Sequence, residues 1–196
     1  MEQEQYYLWA MMIIICSFIG FVIENVWLSV RYGFIDNRNM HLPFLLGYGV
    51  AIFLIYHILG EPARESDIAY FAKVFFMVSL GEIVMGTVVE KTCGVYYWDY
   101  STLPLHFTRY TSLFTSIGFA LIITAFMRTV FPVITAFLTA HEAVFTEDFC
   151  AAALYAVCVD HLASFVEIHK NGALRQSWRI DLRVRNEEEQ GAMARS

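Results

Sequence analysis

The sequence predicts an all-α fold: a polytopic membrane bundle of about five transmembrane helices, N-terminus outside and C-terminus cytoplasmic. Three observations carry this. Of 196 residues, 58% are hydrophobic and 16% charged, against about 45–50% apolar and about 25% charged in soluble domains. The apolar residues come in five long runs rather than the broken pattern of a soluble two-layer fold. The Lys and Arg residues fall almost wholly on one side of those runs.

The runs are residues 6–30, 43–59, 68–89, 113–136 and 149–168. A spanning helix needs about 20 mostly apolar residues. The second run is short, and the fifth is the most polar. With the N-terminus outside, the inner side holds Arg31, Arg38, Lys91, Arg109, Lys170, Arg175, Arg179, Arg183, Arg185 and Arg195; the outer side holds Arg64. A four-span arrangement with the tail inside puts Arg31, Arg38, Lys91 and Arg109 outside, so the charge pattern supports the fifth span. Residues 1–168 are therefore read as the transmembrane domain and 169–196 as a cytoplasmic tail. No internal repeat is evident.

The first run begins after Glu2 and Glu4 rather than after a basic stretch, so it reads as an anchor and not a cleaved signal. Lys73, Arg128 and His57 lie within about two turns of the outer helix ends, where long side chains snorkel to the interface. Cys16, Cys93, Cys150 and Cys158 form no CxxC pair or zinc spacing and read as small apolar residues. No metal, cofactor or nucleic-acid partner is expected, since the basic cluster is short and mixed with acids.

Three carboxylates stand out: Glu24, Glu82 and Asp160, on the first, third and fifth runs. A charge at the centre of a spanning helix costs about 2.5–3.5 kcal/mol on insertion scales. Each lies about 6–9 residues from its cytoplasmic end, so about 9–14 Å deep at 1.5 Å per residue. Carboxylates are too short to snorkel far, so they face the bundle interior, a wet pocket or a basic partner. Two readings stay open. In one, each acid ties helices together through hydroxyls, backbone or Arg. In the other, they line an inner-leaflet site for a cation, a proton or a polar ligand, where like charges at close quarters resist joint ionisation. Arg31, His106, Arg109 and His161 are candidate counter-charges.

The loop EKTCGVYYWDYSTLPLHFTRYTS (90–112) is the densest chemical segment. Its aromatics suit either the headgroup level or a lid folded back under the acids, since irregular backbone at membrane depth is tolerated where protein buries it. Trp98, Asp99, Tyr100 and Arg109 are the residues expected to close the site from below.

Residues 82–101, with Glu82, Gly86, Glu90, Lys91, Gly94, Trp98, Asp99, Tyr100 and Ser101, resemble the signature of the bacterial "putative ABC-transporter type IV" permease-like family. Pro104 and Arg109 continue the match; Leu105 and His106 replace its Phe-Asn, and the Gly before the Arg is missing. An earlier block is similar as well: Gly20 and Glu24, Asn37 and Arg38, then Pro43, Phe44, Tyr48 and Gly49. Asn39, Leu42 and Leu46 stand where the family has Gly, Gly and Pro. The resemblance spans about residues 20–132, includes Glu24 and Glu82 and leaves out Asp160. It implies a permease-like component of the bacterial inner membrane. No Walker A motif is present, so ATP hydrolysis requires a partner.

The tail alternates Trp178, Ile180, Leu182 and Val184 with charged residues, the period of a strand with one apolar face. These four are the expected partner-binding residues, adding to a partner's sheet edge; a basic segment on anionic lipid is the competing reading. Residues 186–196 read as a polar, disordered end. No G-x-S-x-G, HExxH or Gly-rich phosphate loop appears, so an enzyme is not expected. The expected partners are membrane lipids, further copies of the chain, and a cytosolic protein. An ATPase suits a permease; a soluble effector suits the alternative, a membrane sensor or anchor.

Overall fold

The computed structural model describes residues 6–182, which hold five α-helices: α1 (Tyr6–Tyr32), α2 (Leu46–Leu59), α3 (Asp67–Cys93), α4 (Leu113–Ala140) and α5 (Glu147–Asn171). Each expected run has its helix. Four are long and apolar enough to cross a membrane, namely α1, α3, α4 and α5. At 14 residues, α2 is about 21 Å long, short of the roughly 30 Å hydrocarbon core.

The shortfall begins at Pro43. Proline has no N–H to donate, and it drives the residue before it out of the helical region. The chain from Asn37 to Leu45 runs beside α1 as irregular backbone. Asp36 N donates to Asn25 Oδ1 at 2.8 Å, and Leu45 N donates to the Ser17 carbonyl at 3.0 Å. Asn37, Met40 and Leu45 are buried. The second apolar run is thus part irregular segment and part helix, and irregular backbone of this kind is tolerated where protein buries it.

Antiparallel to α1, α2 lies very close to it. A Cβ on Gly49 would sit 2.2 Å from the Ile13 carbonyl oxygen. Trp9 meets Phe53 edge-on at 5.4 Å and Tyr56 at 4.9 Å. Leu8, Met12, Ile55, Tyr70, Val74, Met127 and Leu138 fill the core from four helices.

The helix ends follow the sequence. Ser66 caps α3, and Gly94 closes it in the left-handed region at φ 70°. Ser112 opens α4 in a capping box with Thr115, and Thr146 caps α5. Arg128 of α4 reaches the start of α3, donating to the Pro62 and Glu65 carbonyls at 3.1 Å each and pairing with Asp67 at 2.5 Å. On α5 the buried positions are Cys150, Val157, Ser164 and Ile168, a narrow seam of near-heptad spacing. Elsewhere the helices present bare apolar side chains: Ile68 is 81% exposed, Tyr155 72% and Phe76 71%. Such surface on long apolar helices is what lipid covers.

Two small sheets flank the bundle. Strand β1 (Phe34–Asp36) pairs antiparallel with β4 (Arg179–Asp181), Ile35 opposite Ile180. Strand β2 (His106–Thr108) pairs with β3 (Thr111–Ser112). The alternating tail does form a strand, and it adds to this chain's own β1. Leu182 N donates to the Gly33 carbonyl at 2.7 Å, and Ser177 N to Asn37 Oδ1 at 3.1 Å. Trp178 and Ile180 remain 41% and 52% exposed. Val184 and the end of the tail lie outside the described residues.

Candidate functional site

Glu24 sits on α1 facing the irregular segment. It accepts a hydrogen bond from Tyr48 Oη at 2.6 Å and an ion-paired one from Arg38 Nη2 at 3.2 Å. The Glu24 and Arg38 side chains are 22% and 19% exposed. A local turn delivers the arginine. Asp36 Oδ1 accepts Arg38 N at 2.8 Å, an Asx turn, and Arg38 and Asn39 follow with φ 48° and 67°. Two consecutive non-glycine residues in the left-handed region are unusual; here they fold the guanidinium back onto the acid.

Glu82 sits on α3 facing the start of α4. Its Oε2 accepts Thr111 Oγ1 at 3.0 Å and Ser116 Oγ at 3.3 Å. The two hydroxyls also touch each other at 2.7 Å. Both residues are fully buried, at 1% and 0% exposure. Among the described residues no Lys, Arg or His stands within ion-pair distance of Glu82.

Tyr100 lies within electrostatic reach of both acids. Burial first, then Glu82 and Glu24, pushes its phenol well above the ordinary tyrosine range, while Arg38 opposes them. Its backbone N–H is fixed by the Arg109 carbonyl at 2.7 Å. Tyr97 closes the edge: its hydroxyl donates to the Arg38 carbonyl at 2.8 Å, and its ring stacks on Phe165 at 5.7 Å. Burial pushes the Tyr97 phenol up to about 12.

Trp98 braces the loop. Its Nε1 donates to the Tyr110 carbonyl at 2.9 Å. The Tyr110 ring lies on Gly86, and its hydroxyl donates to Glu90. Asp99 and Arg109 pair with each other at 3.5 Å, each 41% exposed. The Arg109 guanidinium lies over the Tyr96 ring at 4.1 Å. The Ser101 hydrogen bonds, and then Arg109, hold the Asp99 carboxyl below the usual range. Neither residue hydrogen-bonds or ion-pairs with Glu24 or Glu82.

Asp160 has other company. It accepts Leu42 N at 3.2 Å and pairs with His41 Nδ1 at 3.3 Å. His41 also meets Ser164 at 2.8 Å and Glu167 at 3.5 Å. Asp160 thus fastens the irregular segment to α5, and no hydrogen bond links it to the other acids.

The fold brings together Glu24, Glu82 and Tyr100 of the expected site residues. It adds Arg38, Tyr48, Thr111 and Ser116. Arg38 and Tyr48 stood in the sequence as residues of the family-like block, and Arg38 also as a positive loop charge, with no link to Glu24. Thr111, Ser112, Thr115 and Ser116 form a hydroxyl cluster at the head of an apolar run, a visible signal with no obvious target.

A shallow crevice of about 440 Å³ runs along Thr92, Phe165 and His169, and a cavity of about 370 Å³ lies among Trp9, Tyr56, Arg128 and Phe131. Neither touches Glu24 or Glu82.

No curated protein and no solved structure matches the chain. The model of the family described as "Putative ABC-transporter type IV" matches residues 11–165, so this multi-pass membrane protein belongs to that family.

Proposed function

We propose that the chain is a permease-like component of the bacterial inner membrane, N-terminus outside, in which Glu82 takes up a proton or one small cation. The carrying observation is the contrast between the two neighbouring acids. Glu24 is neutralised by Arg38. Glu82 is met by two neutral hydroxyls, which solvate a carboxylate but leave its charge uncompensated. A lone charge inside a bilayer is costly, so it binds a proton or a counter-ion. Without a phosphate-binding loop the chain works as an oligomer or beside an ATPase subunit.

Flux across membrane vesicles from cells expressing the full chain tests this, read with a pH-sensitive dye and with labelled sodium or rubidium. Glu82→Gln, inserted at the native level, is expected to lose the flux. Unchanged flux removes Glu82 from the function.

A second reading has its own observation. All three residues of β4 are exposed, beside exposed Trp178, which suits an anchor that recruits a soluble effector. Deletion of residues 177–196 is then expected to abolish function and leave the bundle folded, whereas a permease core survives that cut.

A further inference from the structure

The two helical hairpins, α1–α2 and α3–α4, repeat one another feature by feature. Each first helix carries Gly-x-x-x-Glu: Gly20 and Glu24 on α1, Gly86 and Glu90 on α3. Each ends at a left-handed glycine, Gly33 at φ 75° and Gly94 at φ 70°. An aspartate follows and builds the same Asx turn: Asp36 Oδ1 accepts Arg38 N, and Asp99 Oδ1 accepts Ser101 N, both at 2.8 Å.

The next hydrogen bond repeats too. Met40 N donates to the Asn37 carbonyl at 3.0 Å, and Leu103 N to the Tyr100 carbonyl at 2.9 Å. Leu-Pro comes next, at Leu42-Pro43 and Leu103-Pro104. Then a tyrosine reaches back. Tyr48 lays its ring on Gly20 and donates to Glu24; Tyr110 lays its ring on Gly86 and donates to Glu90. In both places a Cβ on the glycine would stand 2.3 Å from a ring carbon. The spacings differ, in the helix ends (nine residues from Glu24 to Gly33, four from Glu90 to Gly94) as well as in the loops, which hides the correspondence from a fixed-period search.

We infer that the membrane unit is a tandem duplication, and that Glu90 and Tyr110 are a second copy of the Glu24–Tyr48 clamp: positioning residues, not ligand-binding ones. The two hairpins run in the same direction, the arrangement of parallel repeats about an axis along the membrane normal. The duplication sorts the acids. Glu24 has a twin and belongs to the shared scaffold. Eight residues before Glu90 stands Glu82, whereas eight before Glu24 stands buried Cys16. Two residues after Asp36 stands Arg38, whereas two after Asp99 stands Ser101. Charge therefore differs between the halves at Arg38 and Glu82. Resting on the functional reading above, this makes Glu82 the acid that meets the ligand and Arg38 the residue that keeps Glu24 from doing so. The clamp also has a task in the second half: Tyr110 holds the backbone that carries Thr111 onto Glu82.

Coupled variants test the clamps on the full chain in detergent. Gly20→Ala and Gly86→Ala are each expected to lower the melting temperature by roughly 2–6 °C. Tyr48→Ala is expected to make Gly20→Ala harmless in its own background, and Tyr110→Ala to do the same for Gly86→Ala; the crossed pairs are expected to add. A Gly86→Ala chain that melts like wild type, or crossed pairs that rescue equally, overturns the duplicated clamp.

The positioning role has a separate readout, the pH profile of Glu82 modification by a hydrophobic carbodiimide, followed by mass spectrometry. Tyr110→Phe is expected to move its midpoint, and Tyr48→Phe to leave it in place. An unmoved midpoint in Tyr110→Phe overturns the positioning role. Absence of Glu82 modification at every pH counts against Glu82 as a proton site, while the glycine–tyrosine coupling still decides the clamps.

Discussion

Tyr48 donates a 2.6 Å hydrogen bond to Glu24 from a ring pressed against Gly20 on the same helix. The contact joins the first two helices at the point where the second begins. One turn of α1 supplies both the gap for the ring and the acceptor for its hydroxyl. The tyrosine thus settles the register of α2 and the direction of the Glu24 carboxylate together.

Replacing Tyr48 by Phe keeps the ring on Gly20 and removes the donor. A hydrogen bond to a charged group contributes about 1.5–3 kcal/mol, and the melting temperature of a chain this size falls about 2–4 °C per kcal/mol. Thermal melting in detergent is expected to drop accordingly, with α-helical circular dichroism unchanged at low temperature.

Arg38→Gln leaves Glu24 with one neutral partner. Breaking a buried pair from one side costs about 3–5 kcal/mol. Both side chains are about one-fifth exposed, so solvent screening lowers this to about 2 kcal/mol. The added change Glu24→Gln removes the stranded charge. The double variant is expected to be more stable than Arg38→Gln alone, measured by melting of the singles and the double.

Asp160→Ala strips the acceptor from Leu42 N and the counter-charge from His41. Hydrogen–deuterium exchange is expected to speed at residues 41–42 and to remain slow in the core of α5 around Ser164. The Glu82-dependent flux is expected to persist, because Asp160 has no contact with that acid.

Alkaline pH acts through the loop tyrosines. Burial, the Glu90 hydrogen bond and the Glu90 charge push Tyr110 up to about 12, and burial does the same for Tyr97. In an unfolded chain the phenols ionise near 10. The folded state holds the proton longer, so the contribution is fully present below about pH 10 and declines as pH rises towards 12. Melting temperature is expected to fall over that interval, and Tyr97→Phe to flatten the fall.

Much of this architecture was legible from residues. Hydropathy located every helix to within a few residues, because a spanning helix must be apolar along its length. It overran α2, because Pro43 and Phe44 are apolar yet stand before the helix, and depth in the membrane does not by itself impose helical backbone. The acids at 24 and 82 were legible as costly exceptions. Their contacts were not: Arg38 and Tyr48 stood in the same family-like block as Glu24 with nothing to show that they meet it. Arg38 reaches Glu24 through two left-handed residues, and neither Arg38 nor Asn39 is a glycine that would mark such a turn. By depth in an apolar run Asp160 reads like Glu82, although it lies outside the family-like blocks, and its contact with Leu42 N shows that it anchors irregular backbone. The tail strand was legible by its alternation, but its partner, β1, is three residues in a loop, below the length at which a period-two pattern can be read.

Infrared difference spectroscopy of the full chain in lipid tests the central claim most directly. A step in pH, or addition of sodium or rubidium, is expected to change a carboxyl band that is absent from Glu82→Gln and present in Glu24→Gln carrying intact Tyr110. A band that survives in Glu82→Gln and disappears in Glu24→Gln would contradict the account and return the ligand-meeting role to Glu24.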